Sequence, residues 1–262
     1  MKIFVLSRNS ILLYSLIILA LVGIFVVGTN FGEAVFTGSK AGVEIPIYSV
    51  ETDEKKIAIT FDAAWGDEDT KDLIQILGQN SAKASFFMVG GWIDRFPQSV
   101  KSFSDAGHEI LNHSDTHAHM ANLSEEQIKQ EITDCENKIK NVTGVEKKLF
   151  RAPYGEYNDK VVKTAREAGF KTIQWDVDSL DWKDLSADEI TQRVMSKVQN
   201  GSIILFHNGA KNTPEALKIL LPKLSEQGYK FVSVSELVYS DGYKVDAKGR
   251  QIRDGAETKQ AQ

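Results

Sequence analysis

Apolar residues follow two different rhythms along this chain of 262 residues. Near the start they are unbroken. Residues 11–28 are almost continuously apolar, and no charged residue lies between Arg8 and Glu33. As a helix rising 1.5 Å per residue, the run spans ~27 Å, close to the ~30 Å hydrocarbon core of a bilayer. Lys2 and Arg8 precede it, which holds that end on the cytoplasmic side and places the rest of the chain outside. The expectation is a retained single-pass anchor in residues 1–30, at the cell membrane. Secretion after signal cleavage is the alternative, although the sequence after Gly28 offers a poor cleavage site.

Beyond the anchor the rhythm alternates. Residues 31–54 read as an extended linker, and residues 55–238 as one domain large enough to bury a full core. Within it, short β-branched or aromatic runs at 57–61, 84–89, 171–177, 202–206 and 230–234 predict buried strands. Longer segments of helical period separate them. Ser124 with Gln127, and Ser186 with Glu189, have the spacing of capping boxes, so helices begin there. The segments 101–107, 161–169 and 214–228 each end at a glycine, as helix C-caps do. Strand and helix in alternation predict an α/β fold with a parallel sheet, and this many units favour a (β/α) barrel. Residues 239–262 are polar, without periodicity, and read as a mobile tail.

Composition narrows the class. Hydrophobic residues make up 42% and charged residues 26%, which excludes a disordered or fibrous chain. Cys135 is the only cysteine, so no internal disulfide is available; its helical setting suggests an apolar role. The net charge is −5. Without Lys2 and Arg8 the 31 basic residues fall to 29 against 36 acidic, so the exported part carries −7. A nucleic acid is therefore not its partner.

The candidate chemistry lies just after the apolar runs. Asp62 follows 57–61, His113 to His117 follow 109–111, and Arg151 to Gly155 follow 149–150. Asp176 to Trp182 close the next run, and His207 the one after. In βα folds the loops after strand C-termini collect functional groups, so five ionisable clusters converge on one face. Singly each is ambiguous. Two histidines four residues apart suit a metal but also arise by chance; an aspartate at a strand end serves equally as helix N-cap or as base. Arg151 reads as well as a structural ion-pair partner, and His207 as a satisfied polar group.

Taken in order, these segments resemble a family. Thr60-Phe61-Asp62, His113-Ser114-x-x-His117, Arg151-x-Pro153-Tyr154-Gly155, Asp178-Ser179-x-Asp181-Trp182 and Leu205-x-His207 are similar to the five motifs of the polysaccharide deacetylases, the NodB-homology or carbohydrate esterase 4 group. The resemblance covers residues 55–238. The Ala63-Ala64-Trp65-Gly66 continuation and the anchor are most similar to its sporulation-associated branch. The resemblance implies a distorted (β/α) barrel that hydrolyses N-acetyl groups of cell-wall amino sugars, peptidoglycan foremost. It implies a divalent metal on His113 and His117, zinc with cobalt or manganese as alternatives, which lowers the pKa of a bound water. By the match Asp62 is the general base, Arg151 keeps it ionised, His207 is the general acid, and Asp181 raises the pKa of that imidazole. The Tyr154 N–H meets the oxyanion, while Trp182 and Leu205 form walls for the acetyl methyl. Trp65 and Trp92 suit either sugar stacking or the core.

One position departs from the pattern. Where the family has a second aspartate as third metal ligand, this chain has Ala63. Three arrangements are open: Asp67, Glu68 or Asp115 substitutes; Asp62 itself turns to the metal; or the ion binds weakly. The alternative function is accordingly a non-catalytic glycan-binding or structural envelope protein. Retention of Asp62, Arg151, Asp181 and His207 speaks for the enzyme, because four charged groups buried together have no stability reason to persist.

Overall fold

The computed structural model describes residues 44–255; the expected membrane span, most of the expected linker and residues 256–262 lie outside them. Among the described residues no helix is long and apolar enough to cross a membrane. The strands in chain order are β1 (Ser49–Val50), β2 (Lys56–Ala63), β3 (Ala84–Met88), β4 (Glu109–Asn112), β5 (Leu149–Phe150) and β6 (Lys171–Thr172). They continue as β7 (Val177–Asp178), β8 (Ile203–His207), β9 (Lys230–Phe231), β10 (Tyr243–Val245) and β11 (Arg250–Arg253). A curled, eight-stranded parallel sheet runs in the order β6-β5-β4-β3-β2-β8-β7, with β9 beside the start of β2. Helices occupy the connections, as parallel crossovers require.

The barrel expectation is met only in part. The run at 171–177, read as one strand, divides into β6 and β7 at the two opposite edges of the sheet. Residues between them cross the gap: Ile173 still donates its N–H to Phe150 in β5 (2.8 Å), whereas the Asp176 N–H already reaches Ile203 in β8 (3.2 Å). The sheet is thus a half-barrel whose open side one segment spans.

Period-two alternation sets what each face carries. On β2, Ile57, Ile59, Phe61 and Ala63 turn outward into an apolar layer with Leu73, Leu77, Leu220 and Phe206 under the helices. Ala58 turns inward, beside Phe87, Leu111 and Ile203. One and two steps further up the same inner face stand Thr60 and Asp62. His207 is in register with Asp62 on β8, and His113 follows directly on the end of β4. Apolar residues therefore fill the floor of the half-barrel, and polar ones its upper end.

The expected helices form, with the Ser124 and Ser186 capping boxes opening Glu125–Thr143 and Ala187–Met195. Helices at Thr70–Gln79 and Gly90–Arg95 are additional to the reading. Cys135 is fully buried, with its Sγ 3.3 Å from the Met88 carbonyl, and burial pushes its thiol pKa up.

Two boundaries need correction. The described part of the expected mobile tail folds: β10 pairs antiparallel with β11, and β11 pairs parallel with β1. Ile252 and Gln251 are buried, and the Gln251 amide closes both hydrogen-bonding groups of Tyr239 (2.8 and 2.9 Å). The expected linker ends earlier than 54, since Ile47 bridges to Ile173 and both Ile47 and Val50 are buried. One or two apolar residues per short strand gave no periodic signal, and the partner strand lies some two hundred residues away in sequence.

Candidate active site

Asp62, near the C-terminal end of β2, points into a cavity of about 370 Å³. His113, His117, Tyr154, Trp182, Leu205 and His207 line it as well, so seven of the nine expected site residues share one pocket. The other two, Arg151 and Asp181, are buried behind it.

The base side is built on Arg151. Its Nη1 donates to Asp62 Oδ1 (2.7 Å) and to Thr60 Oγ1 (3.0 Å), and its Nη2 to the Gln174 carbonyl (3.0 Å). The guanidinium lies 3.9 Å from the Phe87 ring centroid, so it is held by stacking as well as by charge. Burial alone pushes the Asp62 carboxyl up; Arg151 beside it prevails and holds it below the usual carboxylate range. Oδ1 is occupied by arginine. Oδ2 faces the cavity, 3.5 Å from His113 Nε2.

The acid side mirrors it. His207 Nδ1 and Asp181 Oδ1 are 2.8 Å apart, and Asp181 Oδ2 accepts from the His207 N–H (2.8 Å) and from Thr213 Oγ1 (2.6 Å). A carboxylate with both oxygens so engaged keeps the imidazole Nδ1 protonated and turns Nε2 toward the pocket. Burial works to lower the His207 pKa, but the hydrogen bond and charge of Asp181 outweigh it, so the net shift is upward. Thr213 has no motif to announce it; only the fold brings it to Asp181.

His113 Nδ1 meets the Arg151 carbonyl at 2.9 Å, which fixes the proton there and leaves the Nε2 lone pair bare. Burial lowers the pKa of His113, and that of His117 to about 4, so both imidazoles are neutral at physiological pH. Their ring centroids are 5.2 Å apart. Two neutral imidazoles suit a borderline divalent ion such as zinc. The third donor is another matter. The Ala63 methyl packs in the helix-side core, because β2 continues through it and alternation turns it away from Asp62. Asp115 is paired with Lys138 at 2.7 Å, Asp67 accepts from Ser99 Oγ at 2.6 Å, and the Glu68 carboxylate folds over Gly66. None of the three lines the pocket, which corrects the expectation of a substitute from among them. Among the described residues no three His, Cys, Asp or Glu side chains group to hold an ion. The residues present therefore do not fit a complete family-type metal centre.

The backbone is tense around this site. Of the six non-glycine residues with positive φ among the described residues, Ser114, His117, Tyr154 and Leu180 fall in the motif segments. Such conformations cost about 1–3 kcal/mol each and persist where surroundings enforce them. At Tyr154 (φ 61°) the enforcement is visible: its ring stacks on His119 (4.4 Å) and its edge meets His117 (4.5 Å). His119, which the sequence left without a role, is tied in turn to Glu156 (2.8 Å). Of the two tryptophans left open, Trp92 is core, its Nε1 donating to the Gly66 carbonyl (3.1 Å). Trp65 stands at the pocket with its ring stacked on His207 (5.5 Å).

Comparison with known proteins points to one family. The family model described as Polysaccharide deacetylase matches residues 49–173. A peptidoglycan-N-acetylglucosamine deacetylase of Bacillus cereus is 39% identical over 196 residues, covering 73% of this chain and 92% of the relative. Among solved structures, BA3943 of Bacillus anthracis, described as a carbohydrate esterase 4 family pseudoenzyme, superposes with TM-score 0.71 at 37% identity. That match covers 73% of this chain and 68% of the other. A mutant of it with restored enzymatic activity gives TM-score 0.70 at 38% identity, covering 73% and 70%.

Proposed function

The chain belongs to the polysaccharide deacetylase family, the carbohydrate esterase 4 hydrolases of N-acetyl amide bonds, and from that premise we propose that it N-deacetylates amino sugars of peptidoglycan. The observation that carries this is the pair of opposed charge couples, Asp62 with Arg151 and His207 with Asp181, on one pocket. Asp62 Oδ2 takes the proton of a water as that water's oxygen bonds to the acetyl carbonyl carbon. The backbone N–H of Tyr154 meets the oxyanion. His207 Nε2 then gives its proton to the sugar nitrogen as the C–N bond breaks, releasing acetate and a free amine. Trp182 and Leu205 wall the acetyl methyl.

Family deacetylases are generally metal-dependent, and the ion, when bound, supplies electrophilic activation of the carbonyl. This chain offers zinc, cobalt or manganese two imidazoles without the usual third carboxylate, so loading is weak. The membrane-type run at residues 11–28 supports an outward-facing, anchored enzyme, and the Ala63-Ala64-Trp65-Gly66 segment supports action in sporulation. The second reading, glycan binding without turnover, is favoured by Ala63 and by the pseudoenzyme among the relatives. To test the first, the full chain with each metal is given a chitooligosaccharide and a peptidoglycan fragment. Acetate release that Asp62→Asn and His207→Ala both abolish is expected. No acetate with any metal on either substrate overturns it in favour of the second.

A further inference from the structure

One charged residue of the cavity has no part in the chemistry above. Asp178 ends β7, in register with Leu205 on β8, and lines the cavity with Asp62 and His207. Its Oδ1 accepts the Leu180 N–H at 2.8 Å, which holds Leu180 in its left-handed turn (φ 55°). Its Oδ2 has no hydrogen-bond or ion-pair partner among the described residues and remains accessible.

The other charges of the site cancel in couples. Asp62 is answered by Arg151, and His207 by Asp181. Asp178 is left over. Arg193 gives its Nε–H to the Asp178 backbone carbonyl (2.7 Å), not to the carboxylate. The Lys183 ammonium sits 4.9 Å from the Trp182 ring. Neither cation lines the cavity, and among the described residues that do there is no lysine or arginine. Burial pushes the Asp178 carboxyl pKa up, while the Leu180 N–H and His207 pull it part of the way back. The cavity thus carries one uncompensated carboxylate. At about 370 Å³ it is near the small end of ligand sites and takes one acetamido sugar. An acidic substituent on that sugar has to share this space with Asp178, where salt screens poorly and like charges repel.

Peptidoglycan offers both kinds of unit, N-acetylglucosamine and its lactyl ether, N-acetylmuramic acid. We propose that Asp178 is a charge filter, so that the unit presented to Asp62 and His207 is the uncharged N-acetylglucosamine and the acid-bearing unit is rejected. The choice of sugars rests on the deacetylase reading; the filter itself requires binding and no turnover.

The test uses the full chain near neutral pH, titrated with N-acetylglucosamine, N-acetylmuramic acid and the methyl ester of that acid. Fluorescence of the cavity tryptophans Trp65, Trp175 and Trp182 reports binding. The ester keeps the lactyl bulk and loses its charge. It is expected to bind at least roughly tenfold tighter than the acid, and N-acetylglucosamine no more weakly than the ester. Asp178→Asn keeps an acceptor for the Leu180 N–H and removes only the charge, so the ester-to-acid gap narrows to about twofold. A residue that merely holds the Leu180 turn leaves that gap as it was. Equal affinity for ester and acid in the wild type overturns the proposal. So does an unchanged gap in Asp178→Asn, whose folding is checked by its thermal midpoint. Acetate released from N-acetylmuramic units of a peptidoglycan fragment as fast as from N-acetylglucosamine units keeps the deacetylase reading and overturns the filter. An Asp178-dependent gap without acetate release from either upholds the filter and sinks the deacetylase reading.

Discussion

Asp62 stays ionised in a buried pocket because Arg151 is hydrogen-bonded to it, and His207 stays protonated because Asp181 holds its other nitrogen. Each couple sets one limb of a pH profile. Turnover needs Asp62 charged, so activity is lost as pH falls through its depressed pKa, below the ordinary value of about 3.9. It also needs His207 protonated, so activity falls as pH rises through a pKa above about 6.5. Acetate release against pH is therefore bell-shaped, and Asp181→Asn moves the alkaline limb to lower pH; a limb that stays put removes His207 from the role of acid. The same shift carries a linkage. The stabilisation that protonated His207 gives is fully present below about pH 6.5 and fades as pH rises through the folded value. Ala63 has its own consequence. Ala63→Asp puts a carboxylate into an apolar layer, so without metal the thermal midpoint drops. If the end of β2 releases that residue toward His113 and His117, added zinc restores the midpoint in the variant far more than in the wild type. Identical zinc responses count against a latent three-ligand site.

At the level of elements, strand alternation and helix caps were readable, and partner choice was not. The 57–61 and 202–206 runs announce strands by composition, and the Ser124 capping box announces a helix start; both depend on residues within a few positions of each other. The division of 171–177 between β6 and β7 depends on neighbours distant in sequence, β5 and β8. The β1–β11–β10 sheet is the clearest case. Its key residue, Gln251, is a polar side chain that reads as surface, yet it is fully buried and completes both backbone groups of Tyr239. Gln251→Ala leaves the part-buried N–H and C=O of Tyr239 without partners and should destabilise the fold by about 2 kcal/mol in urea unfolding. A change within error would reduce the small sheet to a surface ornament.

Across the molecule, the half-barrel puts apolar residues at its floor and charged ones at its upper end, where the cavity lies. The expected anchor belongs to this level too. An almost continuously apolar run of eighteen residues behind Lys2 and Arg8 predicts that the full chain sediments with membranes and resists alkaline carbonate. Protease added outside intact cells should then degrade the domain. Recovery in the soluble extracellular fraction points instead to cleavage and secretion.

Local identity and period were enough to establish the order of the motif segments and the place of Asp62 and His207 at the ends of apolar runs, and the family resemblance marked the missing carboxylate at Ala63. It took the folded chain to decide which tryptophan became core and which became rim, how His119 and Thr213 joined the site, and that the polar C-terminal stretch would fold. Periodicity is a property of neighbours along the chain. Burial, stacking and hydrogen-bond partnership belong to residues that meet only once the sheet has curled.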